Sequence, residues 1–212
     1  MRTRNLTKLA IAAAVTIAGA ARAQSVRLAV GAESKIWIEG GSNLHDWSCK
    51  ATSFVATIDV DSGFLKGATI TSSSLKTVLV TVPVRNLKCG HGGMDNNLYK
   101  ALKADDTPDV NYLLKTLDVV PAAANDSFTV KAVGALKIAG TEKEVTMDVA
   151  VTRGSDGTVR VNGALPLLMT DFGVKPPTAM FGTLRTDNKV TVKFALVVGP
   201  QPLTAAVAGD PR

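Results

Sequence analysis

The sequence is poor in the residues that most often carry chemistry. It has two cysteines and two histidines among 212 residues, and neither a Ser-His-Asp arrangement nor a pair of catalytic carboxylates stands out. After residue 23 it has no run of five or more lysines and arginines, the pattern of a nucleic-acid-binding patch. We therefore predict a protein that is not an enzyme, with no catalytic residues and no nucleic-acid partner.

The N-terminus has the three parts of a secretory signal peptide. Three cations, Arg2, Arg4 and Lys8, precede an apolar run over residues 9–20. The sequence Ala-Arg-Ala at 21–23 then places small residues at the two positions that a signal peptidase reads. Because a membrane-spanning helix needs about 20 apolar residues, this run favours a cleaved signal over the alternative, an uncleaved anchor.

Cleavage after residue 23 changes what the composition implies. The segment 1–23 carries four cations and no acidic residue, so its loss lowers the formal net charge from +6 to about +2. About 190 residues remain, enough for one hydrophobic core and too few for two. We predict a single domain over residues 24–199 and a flexible tail over residues 200–212. The signal implies a periplasmic or secreted protein with no integral membrane segment after cleavage.

The rest of the chain has the period-two pattern of half-buried strands. Four long stretches alternate apolar and mixed residues: 127–140, 144–152, 158–169 and 189–198. Shorter candidates lie at 26–31, 35–40, 51–61, 75–84 and 110–120. About nine strands at this spacing favour an all-β sandwich or barrel over a βαβ fold.

The connections between these stretches carry turn residues. GSDG at 154–157, AGTEKE at 139–144 and TDNK at 186–189 are short and rich in glycine, aspartate and asparagine. We predict that each is a hairpin loop joining antiparallel neighbours.

One segment breaks the alternation and predicts a short helix at about residues 95–104. Asp95 is suited to be the N-cap, because its carboxylate accepts a bond from a backbone N–H that the first turn leaves without a partner. Leu98 and Leu102 are four residues apart and share one helical face. Pro108 stops the helix before the next strand.

Every cysteine and histidine falls into one of two clusters, His45 with Cys49 and Cys89 with His91. Zinc accepts two cysteines and two histidines, but structural zinc sites usually contain closely spaced cysteine pairs. A nucleophilic thiol needs a base and an oxyanion hole, which this spacing does not fix. A disulfide needs only that the two Cα atoms lie within about 7 Å, and the export route is oxidising. The residues favour a Cys49–Cys89 disulfide and leave the metal site as an alternative.

Several motifs, in this order along the chain, resemble the YceI-like family. SNLHDWSC (42–49) and LKCGHGGMDNNLYKALKA (87–104) resemble a secreted, cysteine-containing branch of it. LYKALKADDTPDVNYLLKTLDVV (98–120) resembles its helix-then-strand segment. VGALKIAGTEKEVTMDVAV (133–151) resembles its hairpin, and PLLMTDFGVKPP (166–177) resembles its D-F-G segment before the closing strand. The resemblance covers about residues 30–198.

This resemblance implies an extended eight-stranded antiparallel barrel, similar to the lipocalins, with one short helix. It also implies an apolar tunnel that holds a long polyisoprenoid, such as a quinone tail or a prenyl phosphate. Two departures bear on the ligand. Only Tyr112 begins the strand after the helix, where the family has an aromatic pair. PLLMT at 166–170 has no basic residue where many members carry one, so a headgroup recognised there would differ.

The candidate lipid-binding residues are large apolar and aromatic side chains, together with one histidine expected near the tunnel mouth. They are Trp37, His45, Phe54, Ile58, Leu98, Leu102, Tyr112, Leu114, Leu136, Met147, Leu165, Leu167, Met169, Phe172, Phe181 and Phe194. A structural, hydrogen-bonded role is the alternative for the histidine. For the apolar faces the alternative is a packed core without a ligand.

The function predicted from the sequence is to carry or sequester an isoprenoid-type lipid without chemistry, with no cofactor besides that lipid. The alternative is a structural or stress-related secreted module that binds nothing, or that binds metal through His45, Cys49, Cys89 and His91. An enzyme would require a reactive thiol. The sequence leaves the oligomeric state open, a homodimer included.

Overall fold

The fold is all-β, with short helices at its edges, in the computed structural model of residues 25–65, 71–121 and 127–200. The predicted signal peptide (1–23) and residues 201–212 of the predicted tail lie outside these described residues. The strands are β1 (Ser25–Val30), β2 (Lys35–Ser42), β3 (Trp47–Ala51), β4 (Val55–Asp61), β5 (Leu75–Pro83), β6 (Leu87–Lys88), β7 (Asp109–Pro121), β8 (Ser127–Ile138), β9 (Thr141–Arg153), β10 (Val159–Leu168), β11 (Thr178–Ala179) and β12 (Leu184–Gly199). The helices are α1 (Ser62–Leu65), a single turn, and α2 (Gly92–Ala101).

Eight of these strands close an antiparallel barrel, which confirms the predicted fold class. Hydrogen-bonded neighbours follow the order β1-β4-β5-β7-β8-β9-β10-β12, and β12 returns to β1. The closing contact consists of the pairs Ala29–Gly199 and Val30–Val198. Closure removes the free edges that an open sheet would expose.

The last strand, β12, is shared between the barrel and a smaller extension. One edge of β12 pairs with β10, while the other meets β1 at its C-terminal end and β2 along most of its length. β3 and β6 continue outward from β2. The predicted TDNK loop is wrong, because residues 186–189 lie within β12 where the register shifts between Thr186 and Val190. Such a bulge accommodates extra residues without ending the strand.

The alternation predicted from the sequence corresponds to the two faces of the barrel wall. In β9, Met147, Val149 and Val151 are buried, while Thr146 and Ala150 are exposed. The β8–β9 turn contains only Ala139 and Gly140, with φ of 49° and 86°. Two positive φ angles give the two-residue turn whose twist matches that of the strands it joins. The predicted AGTEKE loop therefore ends after two residues, and the rest belongs to β9.

Helix α2 is confirmed, but it begins three residues before the predicted start. His91 is its N-cap, and its Nδ1 accepts a hydrogen bond from the Gly93 N–H at 3.3 Å. Asp95 lies in the first turn and its Oδ1 accepts from the Cys89 N–H at 2.7 Å, so Asp95 ties the helix to the preceding strand instead of capping it. Within the described residues, no helix is long and apolar enough to cross a bilayer.

Three aromatic rings pack closely against glycines of neighbouring strands. Phe194 covers Gly163, its direct cross-strand partner, and Tyr112 covers Gly134. In both places a Cβ on the glycine would overlap the ring. Trp47 covers Gly40 in the same way in the extension. The glycines thus provide the space in which the rings pack, although glycine inside a strand costs backbone entropy.

Candidate functional site: the barrel cavity

The inward-facing rows of the barrel strands surround an apolar cavity. On β8 and β9 the cross-strand pairs Phe128–Val151 and Val130–Val149 contribute both members to its wall, because partners opposite each other point to one face. The other wall residues are Leu28, Ile36, Ile58, Phe64, Leu75, Val78, Val80, Val82, Val110, Tyr112, Leu114, Leu117, Ala132, Leu136, Met147, Val159, Val161, Leu165, Val192, Phe194, Leu196 and Val198.

The cavity has a volume of about 210 Å³. Along β8 its wall runs from Phe128 to Leu136, which is about 26 Å at the rise of about 3.3 Å per residue. An apolar cavity of about 150 Å³ already stays dry and takes up small apolar molecules. The space therefore suits an apolar chain better than a polar molecule.

The end of the barrel next to α2, which we call the helix end, contains several buried side chains. Val84 and Leu87 follow β5, and Phe172 follows β10; their exposed fractions are 0%, 2% and 2%. Leu102, just after α2, is also buried, and Leu98 packs against the same core. These side chains come from loops and helices at this end, and they are part of the hydrophobic core.

The opposite end, which we call the hairpin end, carries α1 and the β9–β10 loop at 154–158. Phe64 of α1 lines the cavity here, and the guanidinium carbon of Arg153 lies 5.3 Å from the centroid of its ring. A cation over a ring face is attracted by the ring's electrons. A positive charge is thus held against the apolar wall at the hairpin end.

The single hydroxyl among the side chains that line the cavity belongs to Tyr112. Its Oη is buried and has no hydrogen-bond partner among the described residues. Burial raises the pKa of Tyr112 to about 12, because the phenolate would lose its hydration. The group is therefore neutral at physiological pH, and the wall carries no ionised side chain at this position.

Seven of the sixteen candidate residues lie in the cavity wall, and they come from six different strands. They are Ile58, Tyr112, Leu114, Leu136, Met147, Leu165 and Phe194. Six others pack in the core outside the cavity, namely Phe54, Leu98, Leu102, Leu167, Met169 and Phe172. These six are concentrated toward the helix end, where they help to fill the barrel.

Trp37, His45 and Phe181 lie away from the cavity wall. Trp37 is on the outer face of β2, where its Nε1 donates to Glu39 Oε1 at 2.7 Å. Lys193, and after it Trp37, lower the pKa of the Glu39 carboxylate by hydrogen bonding.

His45 is exposed in the β2–β3 loop, with Nδ1 2.8 Å from the Asp46 carbonyl oxygen. Phe181 is fully exposed, at a left-handed backbone position with φ of 55°. These residues are candidates because of their side-chain chemistry. Whether a side chain faces the cavity depends instead on its place in the alternation of a strand or on the conformation of its loop.

Many wall residues were not among the candidates because they are small and aliphatic. Valines dominate this group, as at positions 130, 149, 151, 159 and 198. The signal that identifies these five valines is the strand parity, since each lies an even number of residues from a candidate on the same strand. Side-chain size alone does not carry that information.

The two cysteines form a disulfide, as the sequence favoured. Cys49 of β3 is fully buried and is bonded to Cys89, which follows β6, with 40 residues of sequence separation. The bond joins the extension to the segment leading into α2. Because the sulfurs are bonded to each other, neither offers a thiolate to a metal, and no group of three or more potential ligands occurs in the part of the chain that the structure describes.

Comparisons with known proteins agree with this architecture. A family model described as the YceI-like domain matches residues 29–198. The structure of BcnA from Burkholderia cenocepacia is similar, with a TM-score of 0.62 and 20% identity, covering 78% of this chain and 96% of that one. No curated protein matches the chain significantly.

Two further solved structures share the fold. A polyisoprenoid-binding domain from Saccharophagus degradans, implicated in plant cell wall breakdown, has a TM-score of 0.59 and 11% identity, with 82% of this chain and 98% of that one covered. A YceI protein from Campylobacter jejuni has a TM-score of 0.51 and 21% identity, with 70% and 82% covered. At these identities the likeness shows the fold.

Proposed function

Because the chain belongs to the YceI-like family, we propose that it binds the apolar chain of an isoprenoid-type lipid inside its barrel and performs no chemistry on it. The observation that carries the proposal is the apolar cavity, whose lining residues extend for about 26 Å along β8. Burying each CH₂ group of such a chain is worth about 0.8 kcal/mol, so a lipid needs no polar contact to be retained. The Saccharophagus degradans domain, which has the same fold, is described as binding polyisoprenoid.

A non-catalytic role agrees with the chemistry of the wall. The one titratable group among the lining residues is Tyr112, whose pKa is raised to about 12, so it is neither a base nor a nucleophile at neutral pH. The cysteines are oxidised to a disulfide and do not supply a thiolate. The cavity is thus suited to hold a molecule, not to transform it.

We further propose that the protein acts in the periplasm or outside the cell. Residues 1–23 would be removed as a signal peptide, residues 24–199 would be the binding domain, and residues 200–212 would be a flexible tail. Two features support this: the charge and hydrophobicity of the N-terminus, and a disulfide of the kind that persists in oxidising compartments. Mass determination of exported protein, compared with the size expected after cleavage at residue 23, tests the placement.

Organic extraction and mass spectrometry of protein purified from a periplasm without detergent tests the lipid proposal. We expect an isoprenoid in near-stoichiometric amount. Ala132→Phe places a ring in the cavity and should reduce the lipid several-fold, because Ala132 is part of the wall. Ala150→Phe, on the outer face of the neighbouring strand, is the matched control and should leave the lipid unchanged. Empty wild-type protein would contradict the proposal and favour a structural module.

A further inference from the structure

The outer face of the extension carries a row of lysines around one tryptophan. Four direct cross-strand partners follow one another across β12, β2, β3 and β6: Lys193, Trp37, Lys50 and Lys88. Residues paired in this way point to one face of a sheet. Because neighbouring strands lie about 4.8 Å apart, the row is about 14 Å long. Lys35 lies on the same face, two residues before Trp37 on β2.

This face points away from the hydrophobic core. On β3 and β6 the alternate residues Cys49 and Leu87 are buried, with exposed fractions of 0% and 2%. Their neighbours Lys50 and Lys88 are exposed, and so is Lys35 on β2. We call the outward set the lysine face; it consists of Lys35, Trp37, Lys50, Lys88 and Lys193. None of these five residues lines the barrel cavity.

Acidic side chains balance only part of the charge of the lysine face. Glu39 Oε2 lies 2.7 Å from Lys193 Nζ, and Asp95 Oδ2 lies 3.7 Å from Lys88 Nζ. The other two lysines of the face make no ion pair with any of the described residues. Four ammonium groups and two carboxylates leave two positive charges here. These charges lie close enough together for their fields to add in physiological salt.

The carboxylates farther along the extension lie apart from this face. Asp46 and Asp187 both lie against Gly41, which is four residues beyond Trp37 on β2. Four residues of strand span about 13 Å, more than the screening length of about 8 Å in physiological salt. The outer surface of the extension therefore has a basic part and a separate acidic part.

The pairing of Lys50 with Lys88 costs the fold stability. Like charges directly opposite each other in an antiparallel pair repel, whereas opposite charges at the same positions would stabilise the sheet. β6 has only two residues, so this repulsion falls on a short strand with few other contacts to offset it. An arrangement that lowers stability without improving the packing is typical of a functional surface.

We propose that the lysine face docks the protein on a membrane surface that carries anionic lipids. Lysines are attracted to such a surface, and the amphipathic indole of Trp37 suits the boundary between headgroups and hydrocarbon. The face of a short sheet is also flat enough to meet a bilayer. A second copy presenting the same face would be repelled by its like charge. The inference goes beyond the proposed cargo and does not depend on it, because the face is separate from the cavity.

Sedimentation with vesicles tests the proposal, using exported protein whose mass shows that residues 1–23 are absent. Wild type should bind phosphatidylcholine vesicles containing about one third phosphatidylglycerol, and bind pure phosphatidylcholine at least about ten-fold more weakly. The double variant Lys35→Gln/Lys50→Gln should weaken binding about 30-fold, as expected for two lysines beside an anionic bilayer. Lys131→Gln/Lys137→Gln, which changes two exposed lysines of β8, is the control with the same change in net charge and should bind like wild type.

Two further measurements locate the contact. Tryptophan fluorescence should shift to shorter wavelength when the anionic vesicles are added, and Trp37→Phe should abolish the shift. Lys35→Arg/Lys50→Arg, which keeps the charge, should retain binding. If the shift persists in Trp37→Phe, another part of the protein touches the bilayer and the proposal is wrong.

The remaining outcomes would overturn the proposal in different ways. Equal binding to both kinds of vesicle, or equal weakening by the β8 control, would show that the lysine face is not the docking surface. Binding to dextran sulfate but not to vesicles would assign the face to a soluble polyanion. Salt-sensitive oligomers without vesicle binding would assign it to a second copy of the chain. None of these results bears on the lipid cargo, which the extraction experiment tests separately.

Discussion

The two ends of the barrel contain similar apolar side chains, but these side chains pack differently at each end. At the helix end, segments after β5, α2 and β10 contribute the buried side chains of Val84, Leu102 and Phe172 to the core. At the hairpin end, the rings of Phe64 and Phe128 form a wall around space. An unfilled interior costs dispersion contacts and therefore stability. The difference suggests that one end stabilises the fold and the other keeps room for a ligand.

Truncating one phenylalanine at each end should give the largest contrast. Phe172→Ala removes a ring that is 2% exposed and should cost about 3–5 kcal/mol of unfolding free energy, because it opens a new cavity in a packed region. Phe128→Ala enlarges a cavity that already exists and should cost about 1–2 kcal/mol. Denaturant unfolding of delipidated protein measures both. Equal losses would contradict the distinction between the ends.

Removing the disulfide should weaken the helix end specifically. Replacing both Cys49 and Cys89 by alanine should lower the unfolding free energy by about 2–4 kcal/mol, since the bond closes a loop of 40 residues in the unfolded chain. Hydrogen exchange should accelerate in β3 and α2, which the bond connects, and change little in β9 and β10. Uniform acceleration across all four elements would show that the barrel does not divide in this way.

The pH dependence of stability should report on Tyr112 in the cavity wall. Its folded pKa of about 12 lies above its ordinary value of 10.0, so stability is complete below pH 10 and is lost as pH rises toward 12. Allowing for partial solvent screening, the loss should be about 1 kcal/mol. The difference in unfolding free energy between wild type and Tyr112→Phe across this range isolates it from other groups. A constant difference would mean that the phenol is solvated.

The smallest expected effect is that of Tyr112→Phe at neutral pH. The buried hydroxyl has no hydrogen-bond partner among the described residues, and removing an unsatisfied polar group of this kind should stabilise the empty protein by about 0.5–1 kcal/mol. A thermal melt of delipidated protein with and without the substitution measures it. A clear destabilisation would indicate that the hydroxyl has a partner, such as bound water.

The barrel could be predicted because the alternation of apolar and polar residues repeats along the chain. In the strands that contain Val130, Met147 and Val192, inward-facing apolar residues alternate with polar residues over many positions. One misassigned residue therefore does not change the predicted fold class. Short elements lack such repetition. β3 has five residues and pairs with β2, while β6 has two residues and pairs with β3. Both pairings depend on distant contacts that no local pattern encodes.

The errors at individual residues have specific physical causes. The helix was predicted to begin at Asp95 because aspartate is a strong N-cap, but His91 occupies that position and two glycines follow it inside the helix. The residues 186–189 look like a turn, yet pairing on both edges of β12 keeps them in the strand as a bulge. Trp37 and Phe181 were selected as aromatics, and neither side-chain type nor size indicates which face of a strand or loop a residue occupies.

The aromatic rings that pack against glycines constrain which substitutions this sequence can accept during evolution. Gly163 and Phe194, like Gly134 and Tyr112, fill one shared volume, so any side chain added to the glycine must be matched by a smaller partner. Each pair should show strong epistasis in a combinatorial library, where single substitutions are selected against and compensated doubles survive. Two of the three rings contribute to the cavity wall. Exchanging such a pair is therefore a route by which the barrel alters the shape of its interior while keeping its strands in register.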